Sequence, residues 1–444
     1  MDTDVSGGPS PAPTGHLDPG PGWQRRFWAI FTGQALSLTG SAMTQFVLLW
    51  WITDTTGSVG ALATAGMAAL LPQALLGPLG GTFADRYSRR LLMIAADTVS
   101  ALCMLVLIAL FATGRVELWH VYTMMFVRSS MQAFQGPAAA ASTAMLVPAS
   151  FLPRAAGLNQ TLQGIMTVAA APLGALAISI LPLGAALGID VATALLGILP
   201  LLIFRVPQRR LPRGERAGVW AEFREGVSLV WRHPGLRQLY GVMAAVVLVI
   251  MPTFTLTPLL VKEHFGGGAG QVALMEGLSG VGMIAGGLAV TLLAPRRRVA
   301  TVLVAFALSC LAVALTALAP GNAFWLAVVW WVVSGVTFSF GNAPMTAVLQ
   351  TVIPNQLQGR ALSLLSTVMG LAGPVGLALA APLGEWLGVR GLFVAAGVLS
   401  ALASLAGFLS PALLRLEGTG ASNEERPGSP LPTRHEEAGG GEPG

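Results

Sequence analysis

The feature that most constrains this chain is a series of apolar runs, each long enough to cross a bilayer at about 20 residues, separated by short loops that carry arginine. The runs lie near 27–52, 58–83, 91–112, 119–145, 155–180 and 184–206, and again near 237–261, 271–294, 299–319, 322–350, 360–384 and 391–413. In hydrocarbon each backbone N–H and C=O must be satisfied inside its own segment, so runs of this kind are helices. The expectation is an all-α polytopic membrane protein with twelve transmembrane helices, arranged as six plus six. Composition supports it: 54% of residues are hydrophobic and 10% charged, and the mean hydropathy is +0.70, against about 25% charged in soluble domains.

The polar remainder divides the chain. Residues 1–22 and 417–444 are rich in Gly and Pro and are expected to be disordered tails. Residues 23–206 and 235–416 form the two six-helix bundles. Between them, 207–234 reads as a solvated linker with a short amphipathic helix, carrying Arg209, Arg210, Arg213, Glu215, Arg216, Glu222, Arg224 and Glu225. The first apolar run, from Phe27, is too long for the core of a cleavable signal peptide and is read as the first membrane helix.

A net charge of +5 and a pI near 10.0 raise the question of nucleic acid. The arginines answer it by lying in short loops rather than on one patch. One alternating set of loops holds Arg86, Arg89, Arg90, Arg154, the cluster from Arg205 to Arg216, Arg296, Arg297, Arg298 and Arg360, whereas the other set holds Arg115, Lys262 and Arg390. By the positive-inside rule the first set is cytoplasmic, and so are both termini. In a bacterium this membrane is the inner one.

Several function classes are excluded or left without support. Lys262 is the sole lysine and Glu263 follows it, so no phosphate loop with Gly-Lys-Ser or Gly-Lys-Thr exists, and no ATPase subunit is called for. Cys103 and Cys310 are isolated in apolar runs, which gives no disulfide framework. His16, His120, His233, His264 and His435 fall in loops, tails or span ends, and no metal-ligand spacing appears. The expected protein is not an enzyme and carries no cofactor or metal; its partners are a small-molecule substrate, protons and the lipid bilayer.

The halves repeat. One offset, 286 − 80 = 206, carries Gly80 to Gly286, Gly81 to Gly287, Arg90 to Arg296, Trp119 to Trp325, Pro148 to Pro354, Arg154 to Arg360 and Gly164 to Gly370. Matching helices in the same order and sense imply two parallel-related bundles, with a solute path where they meet near the midplane. The repeat is unequal at one place, since Asp85 maps onto Thr291.

The segment from Gly77 to Arg90 compresses glycines, one acid and three arginines between two apolar runs. Gly81, Asp85, Arg86, Arg89 and Arg90 follow the pattern Gly-x-x-x-Asp-Arg-x-x-Arg-Arg, which resembles the signature of the major facilitator superfamily. Gly33 to Ser41, Leu71 to Ala74, Phe126 to Ser129, Leu146 to Pro148, Asn159 to Gln163 and Ile189 to Val191 are similar to the Mef-type macrolide-efflux permeases of bacteria. The likeness is dense over 23–205 and looser beyond, at Gln350, Pro354, Gly359 and Arg360. It implies proton-driven export of bulky hydrophobic drugs, or of a siderophore or other metabolite in the wider circle of the family. A non-transporting membrane sensor is the remote alternative.

The residues suggest how such a machine is divided. Asp85 is expected to meet Arg360 and the start of the eleventh helix as a latch on the outward-open state; alternatively Asp85 to Arg90 is only a topogenic anchor. Arg128 lies in mid-span, where a lipid-facing arginine costs about 2.5–3.5 kcal/mol on insertion scales, so it faces a cavity or a partner. Gln132 and Gln135 extend its stripe, Gln34, Ser37, Ser41 and Gln45 form another, and Asn159, Gln163 and Thr167 a third. These stripes are either a substrate-binding wall or interhelical glue of about 0.6 kcal/mol per bond. Asp97, Asp190 and Glu276 are the acids within spans and hence the candidates for proton coupling. For Asp97 the alternative is a pair with an arginine of the charged loop. Pro172, Gly174, Gly373 and Pro374 are candidate hinges, or else points of close packing. Antiporters of the superfamily usually carry Gly-Pro in the fifth span, and here Ala171 precedes Pro172.

Overall fold

The computed structural model describes residues 19–206, 224, 228, 230–353 and 355–415, with backbone alone over 355–363. Most of the expected linker, nearly all of both expected tails and the Arg360 side chain lie outside the described residues.

Within each half, short connections join successive helices. The first half comprises α1 (Trp23–Thr56), α2 (Val59–Arg86), α3 (Arg89–Ala112), α4 (Leu118–Leu146), α5 (Leu152–Ile180) and α6 (Leu183–Ile203). The second comprises α7 (Pro234–Phe265), α8 (Ala269–Leu293), α9 (Arg298–Leu318), α10 (Phe324–Val352) and a continuous stretch, Asn355–Ala406. That stretch is two helices, because Gly388 has φ 69° and ψ 165°, outside the helical region. We number them α11 (355–387) and α12 (389–406); a short α13 (Pro411–Leu414) ends the described chain. Each turn of direction has a local cause. Gly57 closes α1 at φ 57°, while the Ser58 and Ser88 hydroxyls accept backbone N–H bonds at the starts of α2 and α3.

Among the described residues ten helices are long and apolar enough to cross a membrane. One of these, 364–409, contains both α11 and α12, and α4 is not among the ten. With that stretch counted as two helices and α4 added, the described residues hold the twelve long helices expected. Arg128, Gln132 and Gln135 lower the hydropathy of α4, so the helix that looks least like a span is the one carrying the polar stripe. The last expected span, 391–413, ends sooner: α12 stops at Ala406 and a 3-10 turn, Gly407–Leu409, leads into α13.

The repeat predicted from sequence has a counterpart in packing. In the first half α1 contacts α5 and α6, α2 contacts α4, and α3 contacts α4 and α6; α8 with α10, α9 with α10, and α7 and α9 with the α11–α12 stretch repeat the set. A Cβ on Gly80 would overlap the Ala133 carbonyl of α4, and one on Gly286 would overlap the Val336 carbonyl of α10. Glycine is needed at both crossings because helices approach this closely only without side chains. Trp119 and Trp325 each occupy the second position of α4 and α10 and are exposed, as interfacial tryptophans are.

The two halves meet along two seams, α2 with the α11–α12 stretch and α5 with α8. The ends of the molecule differ. Call the face bearing Trp23 and the α6 end the terminal face, and the opposite one distal. In the distal part Val59 lies against Gly384, Gly66 against Leu377 and Thr255, and Pro172 and Val168 against Gly277 and Gly280. In the terminal part Gly77, Gly81, Gly157 and Gly164 have nothing within 4 Å of an added Cβ. Among the described residues the halves are therefore clamped distally and parted towards the terminal face.

Candidate translocation site

Two polar clusters occupy the interior of the first half. In one, Arg128 Nη2 of α4 lies 3.0 Å from Asp190 Oδ2 of α6, with side chains only 11% and 4% exposed. Ser41 of α1 donates to Asp190 Oδ1 at 3.0 Å, and Arg128 Nη1 points at Met104 Sδ. The expensive mid-span arginine thus has a partner inside the bundle. Gly40 makes this possible by letting α1 lie against Asp190 and Thr193 of α6.

In the other cluster, Gln34 Nε2 donates to Asp97 Oδ2 at 3.1 Å and to the Gly197 carbonyl at 3.3 Å. Gln135 Nε2 donates to Gln34 Oε1, and Gln132 Nε2 to Gln135 Oε1 at 3.4 Å. The amides of α4 and α1 form a chain whose donors all point towards the buried Asp97 carboxylate of α3. Asp97 has an amide partner here rather than an arginine of the charged loop.

Beside this chain is a cavity of about 260 Å³ in the terminal half of the bundle, lined by Phe27, Phe31, Gln34, Gln132, Gln135, Asn159 and Gln163 among others. A second opening of about 400 Å³ lies between α2, α4 and α11, with Gln73, Gln132, Ser366 and Thr367 on its walls. Gln132 borders both. The apolar wall of Phe27, Ile30 and Phe31 facing the amides was not singled out from sequence, where it read as the start of an ordinary apolar run. Gln45 is half-buried on α1 and lines neither cavity.

At the charged loop, Asp85 is exposed and its carboxylate takes Arg89 Nη2 at 3.3 Å. Arg89 is buried and also donates to the carbonyls of Ala84 and Ala141, each at 3.1 Å. Arg90 reaches the carbonyls of Leu201 and Leu202, the last at 2.7 Å, where they end α6. Arg86 is exposed. The expected partner Arg360 lies outside the described side chains.

The candidate hinges sit in unbroken helices. Pro172 touches Gly277 of α8, and Gly174 is pressed against Met43 and Phe46 of α1. Gly373, next to Pro374, contacts Met251 and Leu70. All are places of close contact, two of them on the seams. Glu276 of α8 is half-buried, and among the described residues no hydrogen bond or ion pair reaches it.

One contact between the halves is not foreshadowed by any motif. Lys262 of α7 pairs with Asp54 of α1 at 2.9 Å, joining the two halves at the distal face. The available signal was that Lys262 is the chain's sole lysine.

Two helical bundles, parted towards one face around buried charges, have the architecture of a membrane transporter. The sequence profile of the Major Facilitator Superfamily matches residues 30–321 and 242–437, and this chain belongs to that family. It is 31% identical to Macrolide efflux protein A of Streptococcus pyogenes over 383 residues, 85% of this chain and 94% of that protein. Against Macrolide efflux protein A of Enterococcus faecalis it is 30% identical over 317 residues, covering 70% and 97%. The multidrug efflux pump Tap of Mycobacterium bovis is 23% identical over 415 residues, covering 90% and 96%. Among solved structures, the nucleoside transporter NupG superposes with a TM-score of 0.62 at 13% identity, covering 89% of this chain and 99% of that one. The D-xylose-proton symporter gives 0.60 at 16%, covering 84% and 96%. These likenesses establish the fold, and the relatives are transporters rather than enzymes.

Proposed function

We propose that this chain exports hydrophobic drugs of the macrolide kind from the cytoplasm of a bacterium, exchanging them for protons by alternating access. The observation that carries the reading is the amide chain from Gln132 to Asp97, buried at one end and bordering a cavity at the other. The printed names of the relatives supply the substrate class.

The arginine bias puts the terminal face in the cytoplasm, so the present conformation is open inward. A drug enters between the halves and reaches Gln132, Gln135 and Gln163 against the Phe27 and Phe31 wall. Asp190 has its charge compensated by Arg128 and Ser41, whereas Asp97 has only the neutral Gln34 amide. Asp97 is therefore the carboxylate that takes the coupling proton. Protonation removes the charge that orders the amide chain, because a hydrogen bond to a carboxylate is about twice as strong as one to a neutral acceptor. Gln34 is then free to turn towards the cavity, so proton and drug compete for one side chain. The exposed Asp85 suits a latch that is undone in this state and that closes on the eleventh helix when the cytoplasmic side shuts.

A siderophore or another anionic metabolite would look to Arg128 as its counter-ion. That guanidinium is already held by Asp190, which favours the drug.

The test is accumulation of a labelled macrolide in a pump-deficient bacterium expressing the chain, with and without a protonophore. Accumulation is expected to fall, and to recover with the protonophore and in Asp97→Asn. Unchanged accumulation with the protein verified in the membrane would overturn the drug reading; full pumping by Asp97→Asn would overturn the coupling assignment alone.

A further inference from the structure

Where the amide chain ends at Gln132, a second cavity begins. The opening of about 400 Å³ between α2, α4 and α11 draws its walls from both halves of the molecule. Among the described residues those walls carry no acid and no base. They carry neutral hydrogen-bonding groups instead, the amides of Gln73 and Gln132 and the hydroxyls of Ser366 and Thr367. The Gln73 side chain is exposed, and among the described residues no hydrogen bond or ion pair reaches it. Gln132 gives an N–H to Gln135, and among the described residues its own side-chain oxygen receives no donor.

The helix backbone adds an acceptor. Proline has no N–H, so Pro78 inside α2 cannot donate to the carbonyl of Ala74 one turn earlier, and Pro137 inside α4 cannot donate to that of Ala133. The two carbonyls meet different surroundings. That of Ala133 is covered by Gly80 of α2, where an added Cβ would overlap it. Ala74 and Pro78 both line the cavity, so the turn that lacks its N–H opens onto it. Across the seam, a Cβ on Gly370 of α11 would lie 3.5 Å from the Ala74 methyl. Ser366 and Thr367 stand about one turn before Gly370 on the same side of α11, which sets their hydroxyls along the facing wall.

A cavity of neutral donors and acceptors suits a ligand that offers several hydroxyls and no charge. An ionised group would leave its water there and meet no counter-ion, which is costly, whereas a hydroxyl both donates and accepts and so satisfies either kind of wall group. We propose that this cavity holds a neutral, polyhydroxylated end of the exported molecule, such as a sugar, while the Phe27 and Phe31 wall on the other side of Gln132 takes its apolar body. The proposal rests on the drug-export reading and deepens it, since the chain then selects glycosylated hydrophobes over the same skeletons without the sugar. The apolar body touches the first half alone, whereas the sugar touches both halves at the α2–α11 seam.

The test is equilibrium binding of tritiated ligand to the purified full chain in lipid nanodiscs, read by scintillation proximity. The probes are a macrolide carrying a neutral sugar and the same macrolide with that sugar removed. The wild type is expected to bind the glycosylated form about tenfold more tightly, the equivalent of one or two net hydrogen bonds. Gln73→Leu, Thr367→Val and Pro78→Ala should each weaken the glycosylated form by about three- to tenfold and leave the other within about twofold, which also shows that the variant is folded. Pro78→Ala acts without touching a polar side chain, because it returns an N–H to the Ala74 carbonyl and so takes that acceptor from the ligand. Phe31→Ala, on the opposite wall, should weaken both probes alike. Equal binding of the two probes by the wild type overturns this proposal alone, as do Gln73, Thr367 and Pro78 variants that weaken both probes equally or neither. Binding of neither probe by the wild type overturns the drug reading and this proposal with it.

Discussion

Lys262 Nζ lies 2.9 Å from Asp54 Oδ1, 2.7 Å from the Asp54 carbonyl and 3.3 Å from the Thr53 carbonyl. The single ammonium both forms an ion pair and caps the C-terminal carbonyls of α1, where a cation is favoured. It is a polar tie between the halves at the face where they are in close contact.

Removing it is expected to let the distal face open more often. Lys262→Met should raise labelling by an impermeant maleimide of a cysteine placed at Val59, in a background where Cys103 and Cys310 are serine. A pair this exposed is worth about 0.2–1 kcal/mol, hence up to about fivefold in labelling rate. Asp54→Asn should have the smaller effect, because both carbonyl contacts remain; a larger effect from Asp54→Asn would show that the pair alone is the tie.

The Arg128 and Asp190 pair is buried, so breaking it from one side leaves an unpaired charge. Arg128→Leu or Asp190→Leu alone is expected to lower stability by ~3–5 kcal/mol, and the double variant by clearly less. Thermal unfolding in detergent measures the ordering. If the double variant is as unstable as the sum of the singles, the pair is not what holds the two side chains.

Neighbouring glycines in the signature should separate packing from function. Gly80→Val forces a side chain into the Ala133 carbonyl and is expected to cost about 1–3 kcal/mol or more and to reduce the folded yield. Gly81→Val meets open space in this conformation and should fold normally yet slow export, because the inward-closed state needs that surface. Fluorescence size-exclusion profiles beside accumulation assays distinguish the two.

The arginines of the loop should divide likewise. Arg89 is buried and its acceptors include Ala84, Ala141 and Asp85, so Arg89→Ala is expected to destabilise the fold by ~1.5–3 kcal/mol or more. Arg86 is exposed and Arg86→Ala should leave the melting temperature unchanged. Equal melting temperatures for the two variants would count against Arg89 as a structural staple.

Much of this architecture was legible in the chain. Span length and the glycines at 80 and 286 are local or periodic signals, and the helices and the repeat follow from them. The polar stripes were legible too, because a glutamine every three to four residues on an apolar helix shows its face without any neighbour. Their partners were not. Asp97 was weighed as an ion pair with the nearby loop, since proximity in sequence favours it, and the structure gives it Gln34 instead.

What the sequence determined alone follows from one constraint, that hydrocarbon leaves a backbone no partner but itself, so an apolar run of sufficient length can only be a helix that spans. Which helices then met was decided by packing in three dimensions. Arg128 with Asp190, Gln34 with Asp97 and Asp54 with Lys262 lie far apart in the chain, and any of several buried acids could have answered the same arginine. The choice among them came from small residues such as Gly40 and Gly80, which let particular helices approach closely enough for polar groups to pair.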